Sequence, residues 1–230
     1  MFIGHYSVSY VLKRKDYGIP LWHLFLAAQL MDIVWSIFIF LGIEKADTKT
    51  GLPGSHIHLD YMPYSHSLIG SLVLSVLMVI FYRFLPSNRN KEFLTSKSLL
   101  MGIAVFSHWI LDLIVHSKDL PIIGNSFKVG FGLYSSALWS FTLEAILLGA
   151  AILIYYQTTK QKKKYQTLTF YLFLLLLNAS TVWGPVAPNE KFAAGFLLVC
   201  YLLFAYISSR FEKAAKPGKD AKNDLRNFGH

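Results

Sequence analysis

Hydrophobic runs alternate with short polar segments along the whole chain, and the runs are long enough to set the architecture. Apolar stretches cover residues 21–43, 65–85, 97–117, 133–156, 168–183 and 192–209. An α-helix rises about 1.5 Å per residue, so about twenty residues cross the roughly 30 Å of a bilayer's hydrocarbon core. The pattern predicts an all-α, polytopic transmembrane helix bundle of six spans, forming one membrane domain over 1–230. Turn formers separate the runs: Gly51, Pro53 and Gly54 after the first, Pro86-Ser87-Asn88 after the second, and Gly184-Pro185 after the fifth. Residues 1–18 read as a short interfacial helix, with Tyr6, Val8, Tyr10, Val11 and Leu12 on its apolar side. Residues 210–230 read as a mobile basic tail.

Within the third run, Ser107-His108-Trp109-Ile110-Leu111-Asp112-Leu113-Ile114-Val115-His116 places an ionisable group at every fourth position. On a helix, His108, Asp112 and His116 share one face, each raised by roughly 6 Å from the last. Ionisable groups among lipid tails are costly, and they are retained where they pair, hydrate or bind an ion. Asp32 and Glu144 fall near the middle of the first and fourth runs, and His66 opens the second. In a bundle these faces turn inward, toward a polar pocket nearer the non-cytoplasmic side.

Composition agrees with a membrane protein: 54% of residues are hydrophobic and only 15% charged. The net charge of +9 does not point to nucleic acid, because the basic residues sit in clusters between the runs. All of them except Lys45, Lys49, Lys118, Lys128 and Lys191 fall in one set of loops, which places both termini in the cytoplasm. The first span follows Lys13-Arg14-Lys15 without a small-residue cleavage site, so it is expected to remain in the membrane. The single cysteine, Cys200, excludes an intrachain disulfide and a cysteine metal cluster. His56 and His58 read as loop residues, His23 as an interface residue, and the tryptophans as packing or interface anchors.

Histidine and carboxylate are the ligands that zinc and similar divalent metals take in the absence of cysteine. His108 and Asp112 can reach one ion from one helix, with His66 and Asp32 completing the set. The rise from His108 to His116 is roughly 12 Å, so the expectation is two ions, or one ion with a histidine behind the ligands. A bound metal lowers the pKa of water toward about 7, and Asp112 or Glu144 would take the proton.

Gly4-His5, Leu26-Ala27-Ala28-Gln29-Leu30-Met31-Asp32, Tyr64-Ser65-His66-Ser67-Leu68, Ser107-His108-Trp109 with Asp112 and His116, and Asp119-Leu120-Pro121 occur in that order. Together, over residues 1–156, they resemble the bacterial membrane-bound metal-dependent hydrolases (the YdjM-like, LexA-regulated inner-membrane family and its relatives). The resemblance implies a multi-pass protein of the bacterial inner membrane. It marks His5, Asp32, His66, His108, Asp112 and His116 as the metal or catalytic set. With both termini cytoplasmic, His5 joins that set only if residues 1–12 re-enter the bundle. The expected function is hydrolysis of an ester or phosphoester in a small-molecule or lipid-linked substrate, among membrane lipids. A small proton- or cation-coupled transporter using the same His, Asp and Glu groups is the alternative, and a non-enzymatic membrane scaffold a third.

Overall fold

The structure, a computed structural model, describes residues 1–16, 18–85, 91–158 and 164–212. Helices dominate: α1 (Tyr6–Lys15), α2 (Leu21–Ala28), α3 (Leu30–Leu41), α4 (Leu68–Arg83), α5 (Lys91–Val115), α6 (Ala137–Thr158), α7 (Lys164–Trp183) and α8 (Glu190–Glu212). Among the described residues, four helical stretches are long and apolar enough to cross a membrane: Ser96–Val115, Ala137–Gln157, Tyr165–Trp183 and Glu190–Phe211. A fifth forms if α2 and α3, bent by 52°, count as one span. The α4 helix is apolar but has only 16 residues. The tail at 213–230 and the basic residues in 86–90 and 159–163 lie outside the described residues.

Apolar side chains fill the interior and also cover the outer faces of the helices. On α4, Ile69, Leu72, Val73, Val76, Leu77, Ile80 and Phe81 face outward, while Ser71 and Ser75 are buried. The buried side of α4 lies against α5. A Cβ on Gly102 of α5 would stand 2.5 Å from Val79 Cγ2 and 3.2 Å from the Ser75 carbonyl oxygen, so the two backbones come close because the residues between them are small. In a bilayer, helices of this kind are held together by close packing and buried hydrogen bonds, because apolar burial between helices gains nothing over contact with lipid tails.

Several elements differ from the pattern predicted by hydropathy. The α1 helix is inside the bundle, against α2, α5 and α6. Its Tyr6 and Tyr10 are fully buried, with Phe25 ring centroids 4.4 and 5.6 Å away. Arg14 and Lys15 are exposed, but Ser7, Ser9 and Lys13 are buried too: Ser9 Oγ donates to the Leu24 carbonyl at 3.0 Å and Lys13 Nζ to the Ile19 carbonyl at 2.5 Å. An interfacial helix would have left those three side chains in water. The first apolar run is broken at Gln29 rather than continuous. The second helix starts at Leu68, because Ser67 caps it by accepting from the Gly70 N–H at 2.9 Å. The run from Leu133 begins as a 3₁₀ turn, Leu133–Ser135, before α6.

Nor is the fold purely helical. After α3 ends at Gly42, which adopts a left-handed conformation at φ 71°, the chain forms the antiparallel strands β1 (Lys45–Asp47) and β2 (His58–Tyr61). Ala46 pairs with Leu59, and both are buried, whereas Lys45 and Tyr61 are exposed. That two-residue alternation is short enough to be lost among the turn formers around it. The hairpin and the segment 116–136 cover one end of the bundle, where Leu68 N–H donates to the Pro121 carbonyl at 3.0 Å.

Candidate metal centre

Four separate segments deliver five ionisable side chains to one buried point. His5 comes from the turn before α1, Asp32 from the first turn of α3, His66 from the loop before α4, and His108 and Asp112 from adjacent turns of α5. His5, His108 and Asp112 are each 1% exposed, His66 3% and Asp32 9%. His66 Nε2 lies 3.1 Å from Asp32 Oδ1, and His108 Nε2 lies 3.2 Å from Asp112 Oδ2 and 3.5 Å from Asp32 Oδ1. His5 Nε2 lies 3.2 Å from Asp112 Oδ1, and the His5 and His108 rings stack at 3.6 Å.

The break at Gln29 is part of how the site is built. It turns α3 so that Asp32 enters the cluster, and at the break the Ala28 carbonyl accepts from His108 Nδ1 at 2.7 Å. That bond fixes the tautomer: the proton is on Nδ1, and the lone pair of Nε2 faces two carboxylates. A second arrangement does the same for His66. Ser65 Oγ donates to Glu44 Oε2 at 2.5 Å, so it accepts from His66 Nδ1 at 2.8 Å and leaves Nε2 toward Asp32. The other oxygen of Glu44 accepts from the N–H groups of Tyr64 and Ser65, both at 2.9 Å, which holds the loop carrying His66.

Lone pairs on two imidazoles thus face carboxylate oxygens, which repel unless a cation or added protons lie between them. Alignment supports a cation. His108 Nε2 and His5 Nε2 are within 3.2 Å of Asp112 yet neither is oriented to hydrogen-bond, and no other partner is found among the described residues. A tetrahedral zinc with ligands at about 2.0–2.1 Å spaces those ligands roughly 3.3 Å apart. The spacings of 3.1, 3.2 and 3.5 Å match such a polyhedron edge. Two sets have all their ligand atoms within 4.8 Å of one another: His5, Asp32 and His108, and His66, His108 and Asp112. The residues present fit a divalent metal.

The remaining expected residues take other places. His116 Nε2 stands 4.0 Å from Asp112 Oδ1 and belongs to neither set. Its Nδ1 lies 3.3 Å from both Asp119 oxygens, and Asp119 Oδ2 in turn lies 3.5 Å from His58 Nδ1 in β2. Burial alone would push the Asp119 carboxyl up, but the hydrogen bond from His116, the neighbouring His116 and His58 and the Leu59 N–H hold it below the usual aspartate value. His58, read from sequence as a plain loop residue, therefore sits at the outer edge of the site.

Glu144, expected as a proton acceptor, has one oxygen fully occupied. Its Oε2 accepts from the N–H groups of Phe2, Ile3 and Gly4 at 2.8, 2.7 and 3.0 Å. A carboxylate there satisfies donors that no helix turn would satisfy. Gln29 adds a bond from Nε2 to the Phe2 carbonyl at 3.0 Å, and the Met1 main-chain nitrogen donates to Asp112 Oδ1. These bonds bring residues 1–5 back into the bundle and seat His5 over His108.

Glu44, Ser65 and Tyr201 were not singled out by sequence reasoning as part of the site. Tyr201 of α8 donates to Asp32 Oδ2 at 2.8 Å. Of these, Glu44 carried a signal as an acidic residue directly at the end of an apolar run, and Ser65 lay within the Tyr64-Ser65-His66-Ser67-Leu68 segment. The chain matches no protein-family model, no curated protein and no solved structure.

Proposed function

We propose that this chain is a membrane-embedded, metal-dependent hydrolase of the YdjM-like kind, acting on an ester or phosphoester. The observation that carries the reading is the convergence of His5, His66, His108, Asp32 and Asp112 with imidazole lone pairs turned toward carboxylates. His66 and His108, with Asp32 and Asp112, would hold the ion, zinc foremost among divalent metals, and His5 closes the cluster over His108. Bound there, the metal supplies Lewis acidity and lowers the pKa of water toward neutrality. Asp112, beside His108 and His5, would take up a proton from water. Ala28, Ser65 and Glu44 keep the two histidines in the ligating tautomer, and Tyr201 orients Asp32.

The six-span arrangement, entered from the cytoplasmic side with residues 1–5 turned back into the bundle, belongs to the same proposal, with α4 as a short span and α2 with α3 as a broken one. The basic-residue asymmetry supports it, and the bacterial inner membrane is the matching location.

Elemental analysis of detergent-purified protein tests the reading, with His108→Ala and Asp112→Ala beside the wild type. One or two equivalents of divalent metal in the wild type, lost in both variants and on chelation, is the expected result. Wild-type protein that takes up no zinc or manganese on reconstitution refutes it, and the cluster is then the ion pathway of a transporter or a packing network.

A further inference from the structure

A cavity of about 560 Å³ opens from the cluster. Asp32, His66, Asp112 and His116 line its inner end, and Val186, Phe192 and Phe196, all exposed, line it near the start of α8. One face of α8 runs its length: Ala193, Leu197 and Tyr201, four residues apart, all line it, and Tyr201 ends on Asp32. From Phe192 to Tyr201 the rise is roughly 13 Å, comparable to an extended acyl chain of about ten carbons.

Two polar side chains in this cavity have no structural occupation. Asn178 of α7 is 1% exposed, and neither its Oδ1 nor its Nδ2 has a hydrogen-bond partner among the described residues. Trp35 of α3 is 3% exposed, and its Nε1 likewise has none. Buried polar groups are nearly always satisfied, and an orphaned amide costs stability. A whole carboxamide and an indole N–H, both without partners among residues that line one cavity, are donors and an acceptor kept for a ligand.

We infer that Asn178 and Trp35 bind the polar head of a phospholipid whose acyl chain lies along α8. The cavity's form matches an amphiphile: polar groups at and beside the His/Asp cluster, apolar walls along α8, and a rim of exposed Val186, Phe192 and Phe196 among lipid-facing helices. Asn178 lies about 7 Å inside the Trp183 end of α7, the end that leads into α8. As a substrate assignment this rests on the hydrolase reading, but the binding itself does not.

The test is calorimetric titration of dihexanoyl phosphatidylglycerol into the full chain in amphipol, comparing wild type, Asn178→Leu and Trp35→Phe. Glycerol 1-phosphate serves as the chainless control. Each variant is expected to bind the lipid about tenfold more weakly, as loss of hydrogen bonds to a buried head group implies. The control should bind much more weakly than the lipid to all three proteins. Asn178→Leu should melt no lower than wild type, because it replaces an unpaired buried amide with an apolar side chain of similar size. A merely structural amide would give the opposite shift, and that result counts against the inference. Should Asn178→Leu fail to fold, Trp35→Phe decides alone. Wild-type lipid affinity in the folded variants, or no lipid binding by wild type, overturns the inference. Metal content measured on the same samples separates the two readings. Metal with variant-insensitive lipid binding removes this inference only, whereas Asn178-dependent binding without metal removes the hydrolase and keeps the lipid site.

Discussion

Replacing Glu144 tests whether that carboxylate anchors the first residues of the chain or handles protons. Its Oε2 accepts from three N–H groups, those of Phe2, Ile3 and Gly4, in a fully buried setting. In Glu144→Ala each donor is left without an acceptor, at about 1–3 kcal/mol apiece. The segment can escape part of that cost by leaving the bundle, so a net loss of about 4 kcal/mol is expected locally, near a thousandfold in the opening equilibrium. Glu144→Gln keeps an oxygen acceptor but loses the charge, and charged acceptors bind roughly twice as strongly as neutral ones. About half the loss, near 2 kcal/mol and roughly thirtyfold, should follow. Hydrogen exchange read by mass spectrometry over residues 1–10 measures both. Exchange in Glu144→Ala within threefold of wild type would refute the anchoring role. A Gln variant that loses activity with unchanged exchange would return Glu144 to proton transfer.

Ser65→Ala removes the hydroxyl between His66 and Glu44 and frees the imidazole to change tautomer. Zinc affinity by competition with a chelating dye should fall about 10- to 100-fold with little change in melting temperature; unchanged affinity would show that Ser65 does not set the ligand. Gly70→Ala would drive a Cβ into the Tyr64 carbonyl oxygen, in the loop that carries His66. A loss of about 2 kcal/mol or more in unfolding experiments, with reduced metal content, is expected, and a stable, metal-loaded variant contradicts the geometry. Asp119 titrates below its ordinary value of 3.8 in the folded protein, so its ionised form stabilises the fold. The stability gap between wild type and Asp119→Asn should be fully present above about pH 4 and close as pH falls through the lowered value; a gap that widens on acidification reverses the sign and refutes it.

Periodicity along the chain was enough to place the long apolar helices and the His108, Asp112 and His116 stripe, because hydropathy and a 3.6-residue repeat are local properties. Asp32 and His66 were legible for the same reason: a charge inside an apolar run stands out against its neighbours. His5 was not placed by such reasoning, since residues 1–15 carry serines, lysines and tyrosines that suit an interface as well as an interior. Only the partners waiting inside, Glu144 for the N–H groups and Gln29 for the Phe2 carbonyl, decide that the segment re-enters.

The sequence alone therefore determined a mostly helical chain, with helices long and apolar enough to cross a membrane and ionisable groups on inward faces. Tertiary structure decided which of those groups meet. It turned His116 toward Asp119, spent Glu144 on the chain's first residues, and brought in Glu44, Ser65, Tyr201 and Asn178 from segments far apart in sequence. The physical reason is that helix rotation, the bend at Gln29 and the seating of residues 1–5 are set by long-range packing. Hydrogen bonds that close only in the folded bundle hold them there, and none of this leaves a periodic trace in the residues themselves.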